Sequence, residues 1–125
     1  MPIPTKQVTK ETLVAEVLQL KNAGWRIVTA TCVDLNENEF DLIYHFDKDL
    51  QMEHLRLTVP KGAPVPSISG VYLAAFLVEN EIQDQFGLCF DGLALNFANH
   101  LYLDDEVATT PFCKFGVVRK TAAAE

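Results

Sequence analysis

The spacing of apolar residues changes period several times along this chain, and each change predicts an element. Leu13, Val14, Val17 and Leu18 recur at helical spacing. Thr9 before them and Gly24 after them supply a cap and a stop, which predicts a first helix over 10–23. Residues 25–33 are rich in β-branched and aromatic side chains and predict a strand. After a polar turn at 34–38, Phe40, Leu42, Tyr44 and Phe46 alternate with Asp41, Ile43 and His45, the period-two signature of a second strand. A turn at 47–49 leads to a third strand, in which Leu55, Leu57 and Val59 alternate with Arg56 and Thr58. The three together predict an antiparallel meander with one face under a helix.

Pro60, Pro64 and Pro66 fix φ and remove donors, so 60–66 reads as a stiff crossover loop. Ser67 or Ser69 then caps a second helix that runs to about residue 85 and stops at Phe86-Gly87. Its residues Tyr72, Leu73, Ala75, Phe76 and Leu77 are expected to face the sheet. Beyond Gly92 the pattern weakens. Residues 93–97 and 100–103 read as short strands, 104–106 and 109–111 as turns, and Phe97, Phe112 and Phe115 as apolar residues in need of cover. The expected fold is α+β. A single domain over 1–125 carries an antiparallel sheet, two packed helices and an irregular C-terminal segment, with 1–8 and 117–125 fraying.

Composition narrows the function classes. A 125-residue chain buries roughly two-thirds of its unfolded surface, enough for a core without staples. A net charge of −7 argues against nucleic-acid binding and against docking on an anionic lipid surface. The longest apolar run, 71–78, falls well short of the about twenty residues a membrane span needs. The N-terminal residues lack the apolar core of a secretory signal, so a cytoplasmic location is expected. Cys32, Cys89 and Cys113 are scattered, which fits reduced thiols rather than zinc or iron–sulfur ligands.

The densest chemistry is the stretch 79–92, where Glu79, Glu81 and Asp84 end the second helix ahead of Phe86-Gly87 and Phe90-Asp91-Gly92. Residues three apart are helical neighbours, so Glu81 and Asp84 should share a face. Carboxylates near a helix C-terminus are mildly unfavourable, so another duty is expected of them. Three are open: pairing with basic groups of a partner chain, a solvated helix end, or an acid–base pair. No histidine follows the carboxylates at di-metal spacing. His45, His54 and His100 are isolated, and nucleotide-binding and nucleophile-elbow motifs are absent. No catalytic, cofactor or metal residue is therefore predicted in this chain.

Glu79, Glu81, Asp84, Phe86, Gly87, Phe90 and Gly92 resemble the signature of the 30 kDa subunit family of respiratory NADH:quinone oxidoreductase. That signature has an acidic-basic-acidic triplet, an aspartate, Phe-Gly, a phenylalanine and a glycine. The upstream Pro66-Ser67-Ile68-Ser69 and the meander also fit, so the likeness covers 13–103. Asn80 stands where the family usually has arginine, and Leu93-Ala94 replaces its His-Pro. The basic ending of the respiratory subunits is missing, with Thr110-Pro111-Phe112 near the end instead, and the chain is shorter. In these respects it looks like the matching subunit of Ech-type or carbon-monoxide-induced energy-converting hydrogenases.

The resemblance implies a cofactor-free structural or assembly subunit of a membrane-bound energy-converting [NiFe] hydrogenase or related respiratory oxidoreductase complex. It would dock on the hydrogenase large subunit and near the small iron–sulfur subunit, which would hold the [NiFe] centre and the clusters. The seven signature residues are the expected partner interface. Such a subunit is cytoplasmic, spans no membrane itself and is peripheral to the membrane through its complex. The alternatives are a stand-alone binding module or homodimer of the same fold, or a small enzyme using Glu81 and Asp84 as acid and base.

Overall fold

The computed structural model describes residues 5–96. In chain order these are β1 (Thr5–Gln7), α1 (Leu13–Asn22), β2 (Arg26–Asp34), β3 (Glu39–Lys48), β4 (Gln51–Pro60), β5 (Val65–Pro66), α2 (Ala75–Phe86) and β6 (Phe90–Asp91). The meander is present as β2, β3 and β4, antiparallel throughout. Its core face follows from the period-two pattern. Phe40 pairs with Val59, Leu42 with Leu57 and Tyr44 with Leu55, and all six are buried. Leu13 and Val17 of α1 close over them with no exposed surface, and Ile68 and Val65 complete the same cluster.

Several expectations need correction. The sheet is mixed, with order β1-β4-β3-β2, because Thr5–Gln7 pairs in parallel with His54, Leu55 and Arg56. Within the N-terminal stretch expected to fray, Thr5–Gln7 is therefore paired and Val8 is buried. The β3–β4 turn is Asp49-Leu50, both at positive φ (50° and 66°), so the strands run on to Lys48 and Gln51. Two central residues at positive φ match the right-handed twist of the flanking strands, which is why a hairpin forms there without glycine.

The proline-rich crossover is partly regular. Val65–Pro66 forms β5, in parallel with β6. Val65 N donates to Cys89 O at 2.9 Å and Ser67 N to Asp91 O at 2.7 Å, so the donor that Pro66 lacks falls between two that are used. Neither Ser67 nor Ser69 caps a helix; α2 begins later, at Ala75, after turns in which Val71 N and Tyr72 N bond Ile68 O. Both glycine stops hold. Gly24 has φ +93° after α1, and Gly87 has φ +81° at the end of α2, where its N–H reaches Gln83 O at 2.9 Å.

The helix faces are also revised. In α1, Leu13 and Val17 are buried but Val14 and Leu18 are exposed. Ahead of and within α2, Leu73 and Leu77 are 66% and 51% exposed, although the apolar pattern assigns them to the sheet. Cys32 is half-buried and Cys89 exposed, both as free thiols. Of the short strand expected at 93–97, residues 93–96 are irregular. The expected strand at 100–103, the turns at 104–111, Cys113, His100, Phe97, Phe112, Phe115 and the end 117–125 lie outside the described residues.

Candidate functional site

Helix α2 buries polar side chains. Glu79, Asn80 and Asp84 have no exposed surface and Gln83 only 4%, beside the apolar Ala75 and Ile82. The spacing explains the common face: with 3.6 residues per turn, positions 79, 80, 83 and 84 follow one side of the helix. Isolated charges and amides there would be costly, so their partners decide what the face does.

Glu79 accepts three hydrogen bonds, from the Tyr44 hydroxyl (2.6 Å), the Ser67 hydroxyl (2.6 Å) and the Ile68 amide (3.1 Å). One carboxylate thereby joins α2 to β3 and to the chain that follows β5. Burial lifts its pKa above the ordinary glutamate value, and the donors from Ser67, Tyr44 and Ile68 act in the opposite direction. Tyr44 is pushed well above the usual tyrosine range by burial first and by Glu79 second, so it stays a hydroxyl donor. Ser67 Oγ lies 2.7 Å from Ser69 Oγ, which in turn accepts the Ala94 amide at 2.8 Å.

The amides extend this network to the segment after β6. Asn80 Nδ2 donates to Phe76 O and to Leu95 O, both at 2.7 Å. Gln83 Oε1 accepts the Phe90 amide at 3.0 Å, and its Nε2 donates to Asn96 Oδ1 at 3.2 Å. The polar face of α2 is therefore a clasp. Glu79 grips 67–68, while Asn80 and Gln83 grip 90–96, and β5 and β6 are held side by side as a result.

The seven signature residues fall into different places. Glu79 and Asp84 are interior, and Phe90 is buried in β6. Phe86 is half-buried and meets Phe40 edge-on at 6.1 Å, and Gly87 is the helix stop. Glu81 and Gly92 are exposed. The expected pairing of Glu81 with Asp84 on one face is not made, because one side chain is in solvent and the other inside. A shallow depression lined by Lys10, Glu11, Pro64, Pro66 and Asp91 includes neither. Among the described residues no group of three or more His, Cys, Asp or Glu is placed to hold a metal ion.

Sequence reasoning missed Tyr44, Ser67, Ser69, Asn80 and Gln83 as members of this network. No stripe marks Asn80 and Gln83 in the sequence, because every residue from 79 to 85 except Ile82 is polar. His45 and His54, isolated along the sequence, lie side by side in the fold, with Nδ1 atoms 2.6 Å apart.

An α+β body in which a mixed sheet carries two helices, the second locked by polar contacts to a short parallel ribbon, is the class of protein defined here. The chain belongs to the family of the 30 kDa subunit of respiratory-chain NADH dehydrogenase, whose pattern matches residues 6–121. The corresponding subunit of NADH-quinone oxidoreductase from Jannaschia sp. is 36% identical over 69 residues, which are 54% of this chain and 33% of that protein. Its counterpart from Ruegeria pomeroyi is 39% identical over 70 residues, 53% of this chain and 35% of the relative. The matched stretch thus spans about a third of those relatives' length. A chain of the membrane-bound sulfane sulfur reductase, an archaeal respiratory membrane complex, shares the fold with a TM-score of 0.74 at 23% identity. That likeness covers 85% of this chain and 66% of the other.

Proposed function

We propose that this chain is a structural subunit of a membrane-bound respiratory oxidoreductase complex, without catalytic residues or a cofactor of its own. Membership of the 30 kDa subunit family supports this reading. Within it we favour the energy-converting [NiFe] hydrogenase branch, on the sequence departures at Asn80 and Leu93-Ala94. The chain would dock on the large catalytic subunit near the small iron–sulfur subunit, with the [NiFe] centre and clusters in those partners. No helix among the described residues is long and apolar enough to cross a membrane, so attachment to the membrane would come through the complex.

The orientation of α2 is the observation that carries this proposal. Its polar face is consumed internally, while Leu73, Leu77 and Glu81 stand outward at four-residue spacing. Two leucines in water beside one carboxylate suit a partner surface with an apolar centre and a basic rim. The docking set is then Leu73, Leu77, Glu81 and Gly92, with Phe86 and Gly87 at its edge, while Glu79, Asp84 and Phe90 support it from inside.

Tagged purification from gently solubilised membranes of the native host, with metal analysis, tests the proposal. Recovery of a large subunit with nickel and iron is the expected result, and Leu77→Glu should reduce that recovery. Iron without nickel would move the chain to the quinone-reductase branch. Elution of the chain alone and metal-free would contradict a subunit role and favour a stand-alone module.

A further inference from the structure

On the sheet face opposite the core, His45 of β3 and His54 of β4 are direct cross-strand neighbours. Their Nδ1 atoms are 2.6 Å apart and their rings meet edge-on, centroids 4.7 Å apart. His45 Nε2 lies 2.8 Å from Thr31 Oγ1 on β2. His54 is buried, with 7% of its surface exposed, and its Nε2 has no hydrogen-bond partner among the described residues. Two nitrogens at this distance hold one proton between them, so one ring donates and the other accepts.

The surroundings choose the arrangement. If His54 Nδ1–H donates to His45 Nδ1, then His45 Nε2–H donates to Thr31 and only an acceptor lone pair at His54 Nε2 is left over. The reverse leaves a buried N–H with no acceptor, the rarer and costlier outcome. Among the described residues, the charged groups on this face offer no compensation for an imidazolium. On β3, Asp41 is paired with Arg56 of β4, and Asp47 with Arg26 of β2. On β1, the residues in register with His54 and Arg56 are Thr5 and Gln7, which do not titrate.

We propose that His45 and His54 form an acid-sensitive latch, neutral and closed at neutral pH, that opens when the pair takes up a proton. Added at His45 Nδ1, the proton sets N–H against N–H and breaks the cross-strand bond. Added at His54 Nε2, it creates a buried, unpaired N–H and an uncompensated charge. The first route breaks the link that ties β4 through β3 to Thr31 on β2, while the second keeps that hydrogen bond at the cost of a buried charge, so each makes the closed arrangement less stable. Burial and the neighbouring His54 hold His45 below the ordinary imidazole value, in keeping with this geometry. A folded-state value below the unfolded one means stability is complete above about pH 6.5 and falls as pH drops from there through the folded value.

The test is a nitrogen-detected NMR titration of the full chain from neutral to mildly acidic pH, with urea unfolding at both ends of that range. At neutral pH His54 should appear as the Nδ1–H tautomer and His45 as the Nε2–H tautomer, and His45 should still resist protonation at about pH 6.5, the ordinary imidazole midpoint. The unfolding midpoint should fall on acidification, and His45→Gln should reduce that fall by at least half. Two rings that titrate independently at the ordinary midpoint, both as Nε2–H tautomers, would overturn the latch. So would an acid-induced fall that is the same in His45→Gln.

Discussion

Helix α1 is held to the core by Leu13 and Val17, whereas α2 meets it with Glu79, Asn80, Gln83 and Asp84 beside Ala75 and Ile82. The first is ordinary hydrophobic packing, non-directional and proportional to the area removed from water. The second is directional. Each polar group needs a partner at a fixed place, and Tyr44, Ser67, Ile68, Phe90, Leu95 and Asn96 supply those of Glu79, Asn80 and Gln83. A helix held in this way gains little net stability from its hydrogen bonds, since water would have made them too. What it gains is a defined position for β5, β6 and the chain up to Asn96. Of the three signature carboxylates, Glu79 is an internal positioning device, Asp84 is buried beside it and Glu81 is exposed.

Substitutions that treat the two helices unequally sharpen the contrast. The largest loss is expected from Glu79→Ala, which strands the Tyr44 hydroxyl, the Ser67 hydroxyl and the Ile68 amide at once. Urea unfolding should register a loss of about 3–5 kcal/mol, in the range for breaking a buried charged network. Leu13→Ala in α1 should cost about 2–5 kcal/mol by cavity formation, with no local effect on 65–69. If both variants loosened the same amides, the two modes of attachment would not be distinct.

Smaller changes probe single contacts. Tyr44→Phe removes one of the three donors to Glu79 and should cost about 1–2 kcal/mol in the same measurement. It should also raise the pH at which Glu79 loses its proton, because one donor that favours the ionised form has gone. Carbon-detected NMR of the Glu79 carboxyl would show that shift. At the other extreme, Leu77→Ser on the outward side of α2 should change stability by no more than about 0.5 kcal/mol. Its effect should appear only in recovery of partner subunits.

Legibility in the sequence follows the range of the forces involved. β3 and β4 are readable because alternation at 40–46 and 55–59 is local. Thr5–Gln7 is not, because its strand character comes from pairing with His54 to Arg56, far along the chain. Ser67 and Ser69 read as helix caps, the usual use of serine before an apolar run. Their hydroxyls go instead to Glu79 and to the Ala94 amide, partners distant in sequence. An apolar stripe usually faces inward, which assigns Leu73 and Leu77 to the core; a polar stripe with enough partners reverses the helix. The carboxylates at 79–84 stand out as a cluster, but the residue that explains Glu79 is Tyr44, 35 positions earlier.

Amide hydrogen exchange at Ile68, Phe90 and Ala94, in the wild type and in Glu79→Ala, tests the internal clasp most directly. These amides donate to Glu79, Gln83 and Ser69 respectively. All three should be protected in the wild type. In Glu79→Ala, Ile68 should exchange at least tenfold faster, Ala94 should follow through Ser67 and Ser69, and the β3–β4 ladder should change less. Unprotected Ile68 and Phe90 in the wild type, or rates untouched by the substitution, would show that the polar face of α2 holds nothing in place.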